Sequence, residues 1–338
     1  MLELINLART NPTAAAERVT SNLTPDVVST LKYYGVDANQ AKREISSATP
    51  QPPVAWNAFL GNAAQGHSQD MANTRTQSHE GSDGSTINSR ISNAGYLNAT
   101  SAGENAYAYA TNVDEAMQAF LLDWGVADKG HRRNLLQPNV SADDAFTDVG
   151  IGIVRTNDNN FGPVVITQDF GSQPNAKGQL LGAVFSDGNS NDFYDVGEGA
   201  GNVLITARNL ATGQSSSIQT WDAGGYQMPL DPGNYLVTVT VNNKVVKSTN
   251  ITMGLLNVLH NFNLNDPSQD APPATSSAPA QSQSEAQIQT QTQNQSSSNS
   301  STDSSTFSLS SSNQYTPTRQ STSGGFLAKW SSWKARLS

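Results

Sequence analysis

Two stretches of the sequence concentrate side chains able to do chemistry. Three of the four histidines fall between 67 and 131, in the texts Gly66-His67-Ser68-Gln69-Asp70-Met71, Ser78-His79-Glu80-Gly81 and Gly130-His131-Arg132-Arg133-Asn134-Leu135-Leu136, with Gly103-Glu104-Asn105-Ala106 between the last two. Two neutral imidazoles and a carboxylate make a three-ligand site for zinc with an open position. A carboxylate beside metal-bound water then acts as a general base. The same residue types also cap helices and hydrogen-bond loops, and spacing alone does not choose between these roles.

The second stretch is Asp187-Gly188-Asn189-Ser190-Asn191-Asp192-Phe193-Tyr194-Asp195-Val196-Gly197-Glu198. It fits the loop D-x-[DN]-x-[DN]-G-x5-E, except that Asp192 stands where Gly is usual. Hard oxygens for Ca²⁺ would come from the side chains of Asp187, Asn189 and Asn191, the Phe193 carbonyl, Asp195 directly or through water, and a bidentate Glu198. The sixth position needs a left-handed backbone, which Asp tolerates better than most residues. The expectation is weakened calcium binding, not its loss. The alternative is a solvated Asp/Asn-rich turn between strands.

The elements that must position these groups divide the chain. It has 338 residues, 14% charged and 36% hydrophobic, with no cysteine and a formal net charge of −9. Without cysteine there are no disulfides, zinc-thiolate sites or thiol nucleophiles. The acidic balance argues against nucleic acid or an anionic membrane as a broad partner. No apolar run reaches the roughly 18 residues of a transmembrane span, and Glu3 and Arg9 interrupt any signal-peptide core at the N-terminus.

From 266 to 325 the text is rich in Ser, Thr, Gln, Asn and Pro and reads as a disordered linker. Its charges cancel with those of 326–338, so the −9 belongs to residues 1–265. In 326–338, Phe326, Trp330, Trp333 and Leu337 recur with Lys329, Lys334 and Arg336 beside them, a short basic amphipathic segment suited to a membrane surface or the secretion machinery.

Residues 1–173 read as helices followed by strands. Apolar spacing predicts helices around Leu2–Ala8, Trp56–Met71 and Asp114–Trp124, then strands at Val149–Arg155 and Val164–Phe170. Asn11-Pro12 interrupts the first helical pattern, and a mixed, partly helical stretch runs to Pro53. Residues 174–265 show the short-strand rhythm of an all-β sandwich, with strands at Gln179–Phe185, Val203–Asn209, Ser217–Trp221, Asn234–Val241, Lys244–Ile251 and His260–Leu264. Ala223-Gly224-Gly225 reads as a turn and Asn242-Asn243 as a two-residue hairpin.

The order Leu4-Ile5-Asn6-x-x-Arg9, Trp56, Ala63-Ala64, His67-Ser68-x-Asp70-Met71, Ser78-His79, Gly84, Arg90, Gly95-Tyr96, Gly103-Glu104-Asn105, Trp124, Gly130-His131-Arg132-x-Asn134-Leu135-Leu136 and Val149-Gly150-Ile151-Gly152 resembles a bacterial member of the CAP superfamily, also called SCP. The resemblance covers roughly 1–171. It implies an α+β chain whose first domain is a three-layer α-β-α sandwich with a central cleft. In that cleft His79 and His131 become the histidines able to hold a divalent ion such as Zn²⁺, and Glu104 becomes the first acid. The second acid is expected three positions after Trp124, where Ala127 stands, so the tetrad is incomplete. His67 matches a helix motif and is expected to pack or hydrogen-bond there.

The text from Val184 to Gly199, with Ala223-Gly224-Gly225-Tyr226 and Leu230-x-Pro232-Gly233-x-Tyr235, is similar to calcium-binding B-type repeats of bacterial surface adhesins and to carboxypeptidase-regulatory-like sandwiches. Together these resemblances imply a secreted or cell-surface protein that binds a sterol, a lipid, another small molecule or a cell-surface component, or that adheres. The rival is a metal-dependent hydrolase or peptidase with His79 and His131 on the ion and Glu104 handling the proton. Residue 2 already falls in the family's first helix, which leaves room for a lost upstream segment or for signal-less export through the C-terminal segment.

Overall fold

A computed structural model of the chain describes residues 1–158 and 160–271, all within one compact unit. The first helical pattern becomes α1 (Leu2–Thr10) and α2 (Pro12–Ser21), separated by Asn11. The Asn11 side chain accepts from Ala14 N–H, and Pro12 sits where a helix needs no donor, so the same dipeptide ends one helix and starts the next. The mixed stretch resolves into α3 (Pro25–Tyr33) and α4 (Ala38–Ser46), capped by Thr24 and Asp37.

Then follow β1 (Ala55–Trp56), α5 (Ala58–Thr74), α6 (Ile87–Ala94), β2 (Ser101–Ala110), α7 (Val113–Leu122), α8 (Gly130–Leu136), β3 (Asp148–Arg155) and β4 (Val164–Ser172). Trp56, expected to open a helix, lies instead in β1, because Asn57 caps α5 one residue later. The four strands form a sheet in the order β1-β3-β4-β2, with β1 parallel to β3 and the other pairs antiparallel.

Alternation along the strands sends neighbouring residues to opposite faces. The row Gly150, Asp169, Glu104 faces α5. A Cβ on Gly150 would stand 2.0 Å from the α5 backbone at Leu60 and Gly61, so only glycine lets the helix lie this close. The next row faces the other helices: Gln168 Nε2 reaches the sulfurs of Met1 and Met117, and Asn105 Nδ2 donates to the His131 carbonyl. Helices therefore cover both faces of the sheet. Arg9, fully buried, donates to the carbonyls of Pro52, Leu135 and Phe146 and thereby holds α1 against the end of α8. Burial without a carboxylate partner pulls its pKa down to about 9.

The second half contains β5 (Gln179–Phe185), β6 (Leu204–Asn209), β7 (Ser215–Gln219), β8 (Gly225–Pro229), β9 (Gly233–Val241), β10 (Lys244–Met253), β11 (Val258–Leu259) and β12 (Phe262–Asn263). One sheet runs β10-β9-β6-β7; in the other, β11, β12 and β8 all pair with β5. Leu180, Val184, Ile205, Tyr226, Val237, Val239 and Phe262 form the core between the sheets. Asn242 and Asn243 both have positive φ, 50° and 61°, as the tight hairpin requires. The expected turn at Ala223–Gly225 runs directly into β8, a strand that sequence reading missed.

The two halves touch through side-chain amides. Gln227 on β8 accepts from Trp56 N–H and donates to Trp56 C=O, both at 2.9 Å. Asn257 Nδ2 donates to the carbonyls of Pro53 and Thr147.

Residues 266–271, expected to open the linker, pack on β10 instead. Lys247 is 2% exposed, and its buried ammonium takes the Asp266 carbonyl and the Asp270 carboxylate as partners. The rest of the expected linker and the segment 326–338 lie outside the described residues. No helix among the described residues is long and apolar enough to cross a membrane.

Candidate functional site

The edge strand β2 brings the predicted residues together. Glu104, 7% exposed, points from β2 toward the α5 side. Its Oε1 accepts from His79 Nδ1 at 2.8 Å, and its Oε2 accepts from Arg90 Nη2 on α6 at 2.5 Å. His67 Nε2 stands 3.8 Å from Oε1. Burial pushes the Glu104 pKa up, but the His79 hydrogen bond and the electrostatics of the neighbouring His67, His79 and Arg90 outweigh it and leave the carboxyl below its ordinary value. Arg90 also donates to the carbonyls of Ser85 and His79, so it shapes the loop that carries His79.

His131 arrives from the opposite side, in the first turn of α8. Its Nδ1 lies 2.8 Å from Asp123 Oδ1, while Asp123 Oδ2 accepts from Arg132 N–H. Asp123 is fully buried and left-handed, with φ 56°, because it terminates α7. A carboxylate thus stands against His131 one residue before Trp124, while the position three after it, where the resemblance expects the second acid, is Ala127. The available signal was an Asp, which tolerates left-handed backbone, directly after the apolar run of α7. Arg132 is 7% exposed; it donates to the Leu121 and Leu122 carbonyls at the end of α7 and pairs with Glu44.

The rings of His79 and His131 are 6.5 Å apart between centroids. A carboxylate only accepts, so Nδ1 carries the proton in each hydrogen bond. Nε2 of each ring is then left without a hydrogen bond among the described residues. This is the arrangement in which a carboxylate orients an imidazole for a metal. Glu104, however, was expected as a third ligand, and both its oxygens are already engaged by His79 and Arg90. Among the described residues no group of three His, Asp or Glu side chains is arranged to hold an ion. The fit to a divalent ion therefore rests on the two imidazoles.

His67 is 1% exposed on α5, in keeping with a packed helix residue. Its Nε2 donates to the Ser78 carbonyl at 2.8 Å, and burial lowers its pKa, keeping the ring neutral. It also stands closer to Glu104 than its helix motif suggested.

The second predicted site is a loop between β5 and β6. Asp187 accepts from the N–H groups of Ser190, Asn191 and Asp192, and Glu198 accepts from those of Gly188 and Asp195. The amides of Asn189 and Asn191 both donate to Asp195 Oδ2. Asp192 has φ 56°, the left-handed backbone expected of the sixth position. Asp195 Oδ1 additionally takes Arg18 Nη2 of α2 at 3.1 Å, and the Arg18 guanidinium lies 4.5 Å from the Phe193 ring centre. Helix α2 thus contacts the loop at its seventh and ninth positions.

The sequence matches the family described as CAP, the cysteine-rich secretory protein family, over residues 2–170, half of the chain. Among solved structures it is similar to an extracellular protein containing an SCP domain from Bacillus anthracis strain Ames, with 24% identity and a TM-score of 0.29, the match covering 45% of each chain. It is also similar to an outer surface protein from Borrelia burgdorferi, with 16% identity and a TM-score of 0.30, covering 43% of this chain and 93% of that one. The match to the Bacillus protein spans less than half of that protein's length. No curated protein matches the sequence. The family match, joined to the ordered motifs that converge on β2, assigns the chain: it belongs to the cysteine-rich secretory protein (CAP) family.

Proposed function

We propose that the chain is an extracellular or cell-surface binding protein whose CAP cleft, over His79 and His131, takes a small or lipid ligand or a cell-surface component. The observation that carries this reading is the pair of imidazoles, each fixed at Nδ1 by a buried carboxylate, with ring centroids 6.5 Å apart and each Nε2 without a hydrogen bond among the described residues. Such a pair suits a loosely held divalent ion, with solvent or ligand atoms completing the shell. The hydrolase reading has less support, because the general base it assigns, Glu104, is held by an ion pair and a hydrogen bond. Calorimetric titration of the full chain with Zn²⁺ tests the site. One ion should bind, and binding should be lost in His79→Ala and in His131→Ala; variants that bind like the parent protein sink the proposal. Mass spectrometry of small molecules captured by the full chain then identifies the ligand class.

In the second half, the reading we favour for the loop Asp187–Glu198 is a structural Ca²⁺ site formed by Asp187, Asn189, Asn191, the Phe193 carbonyl, Asp195 and Glu198. It is supported by the left-handed sixth residue and by the convergence of both Asn amides on Asp195. Amide O and N are interchanged by a half-turn of the group, so the same side chains can present oxygens to a cation. With strands on either side, the loop cannot work as a helix-opening sensor.

A further inference from the structure

Arg18 on α2 stands between two carboxylates that belong to different halves of the chain. Its Nη2 lies 3.1 Å from Asp195 Oδ1, in the loop between β5 and β6, and 3.5 Å from Asp114 Oδ1, in the first turn of α7. The guanidinium also rests 4.5 Å from the centre of the Phe193 ring, a cation–π contact with the same loop.

The loop has a physical reason to recruit a cation. From 187 to 198 it carries Asp187, Asp192, Asp195 and Glu198 and no Lys or Arg. Asp187 and Glu198 accept from main-chain N–H groups of the loop itself, which supply dipoles but no compensating charge. Asp195 is the one loop carboxylate with an ion pair among the described residues. It is also the ninth-position group that a Ca²⁺ in this loop would draw on. A divalent ion and a guanidinium repel each other at such range, so the two are rivals for one carboxylate.

Asp114 makes the rivalry reversible. Its side chain is 67% exposed and pairs only with Arg18 among the described residues, and the Arg18 side chain is itself one-third exposed. A guanidinium leaving Asp195 therefore closes on Asp114 with little movement and is never a bare cation.

We propose that Arg18 is a tethered counter-cation of the loop 187–198: it clasps Asp195 while the loop holds no ion and passes to Asp114 when the loop holds Ca²⁺, so that calcium frees the loop from α2. This inference rests on the calcium reading of that loop. The clasps made by Gln227 and Asn257 involve neither carboxylate, so the joint between the halves responds at α2 alone.

Calorimetric titration with Ca²⁺ of the full chain, Arg18→Met, Asp114→Asn and the double variant tests the exchange. Arg18→Met keeps an apolar stem against Phe193 and should bind calcium more tightly, by about two- to fivefold, which is what an exposed ion pair is worth. Asp114→Asn should bind it more weakly by a similar factor, because Arg18 then has no second partner and stays on Asp195. In the Arg18→Met background Asp114→Asn should change nothing, whereas the plain field of a carboxylate would act in both backgrounds. If Arg18→Met fails to melt cooperatively, Arg18→Gln takes its place. No binding by the parent protein overturns the calcium reading and the exchange together. Binding by the parent with an equal affinity in Arg18→Met, or an Asp114→Asn effect of the same size in both backgrounds, overturns the exchange alone.

Discussion

Glu104 and Asp169 stand in register on the adjacent strands β2 and β4, two carboxyl groups beside a single guanidinium. Glu104 takes the Arg90 cation and the His79 hydrogen bond. Asp169, fully buried, has neither oxygen hydrogen-bonded among the described residues. Burial first, and then the charge of Glu104, push the Asp169 carboxyl well above its usual range. Like charges on neighbouring carboxyls repel, so the ionised Glu104 disfavours ionisation of Asp169.

A neutral acid in the fold that ionises on unfolding costs stability at neutral pH. Its folded pKa is raised, so the native state keeps a proton that the unfolded state releases, and the cost grows as pH rises above the ordinary value of 3.8. Asp169→Asn is neutral in both states. Its melting temperature should exceed the parent's by a few degrees at pH 7, and the gap should close near pH 3.5. A variant less stable than the parent at pH 7 would show that Asp169 is ionised in place.

Glu104→Gln keeps the shape but strips the charge. Arg90, whose side chain is 10% exposed, would be left as a nearly buried cation without an ion partner, a loss of about 3 kcal/mol or more. His67 sets a separate acid window. Its pKa is lowered in the fold, so its contribution is complete above the ordinary 6.5 and is lost as pH falls below it. His67→Gln should flatten the decline of melting temperature as pH falls below the ordinary 6.5; His260, also lowered by burial, leaves a residual slope. An unchanged slope in the variant means that His67 does not titrate in this range.

What could be read in advance follows from how strongly each element announces itself. The α1–α2 break, α5, α7, β3 and β4 carry helical spacing or alternation, and their residues were placed to within a few positions. β2 carried no such signal: from Glu104 to Ala110 every residue is buried, so polar and apolar positions do not alternate, and its Ala-rich text favours no strand. The strand that carries Glu104 was therefore open to reading as a turn. His79, Glu104 and His131 were named through the order of motifs, and the structure brings them together. The partners Arg90 and Asp169 are choices made by packing between separate elements, whereas Asp123 lies only eight residues before His131. Arg90 is 14 residues from Glu104 in sequence, and Asp169 meets it only through strand register.

Gln227 binds both main-chain groups of Trp56 with one carboxamide, acting as a one-residue strand against the edge of the CAP sheet. Gln227→Ala removes both bonds, at a cost of about 2 kcal/mol. The loss should appear as a lower denaturant midpoint with an unchanged slope, since the same surface is exposed on unfolding. A midpoint equal to the parent's would mean that water replaces the clamp without loss.

Calcium should raise the melting temperature of the full chain, because an ion that binds only the folded loop adds stability with its concentration. With Asp192 at the sixth position the site belongs among weak loops, with a Kd of roughly 10⁻⁴ to 10⁻³ M, so millimolar Ca²⁺ should add about 1 kcal/mol. Glu198→Ala removes the bidentate ligand and should abolish the shift. Under the calcium proposal Arg18 is a competitor of the ion, since its guanidinium holds Asp195 Oδ1 at 3.1 Å and places a positive charge beside the loop. The prediction for Arg18→Ala is therefore opposite in sign to that for Glu198→Ala: lower stability without calcium, because a contact to α2 is lost, but a larger gain when calcium is added. Melting curves of the three proteins with EDTA and with 1 mM Ca²⁺, the millimolar end of the range for weak sites, separate the cases. Indifference of the parent protein to calcium rejects the ion site, whereas a shift in Arg18→Ala no larger than the parent's rejects only the competition for Asp195.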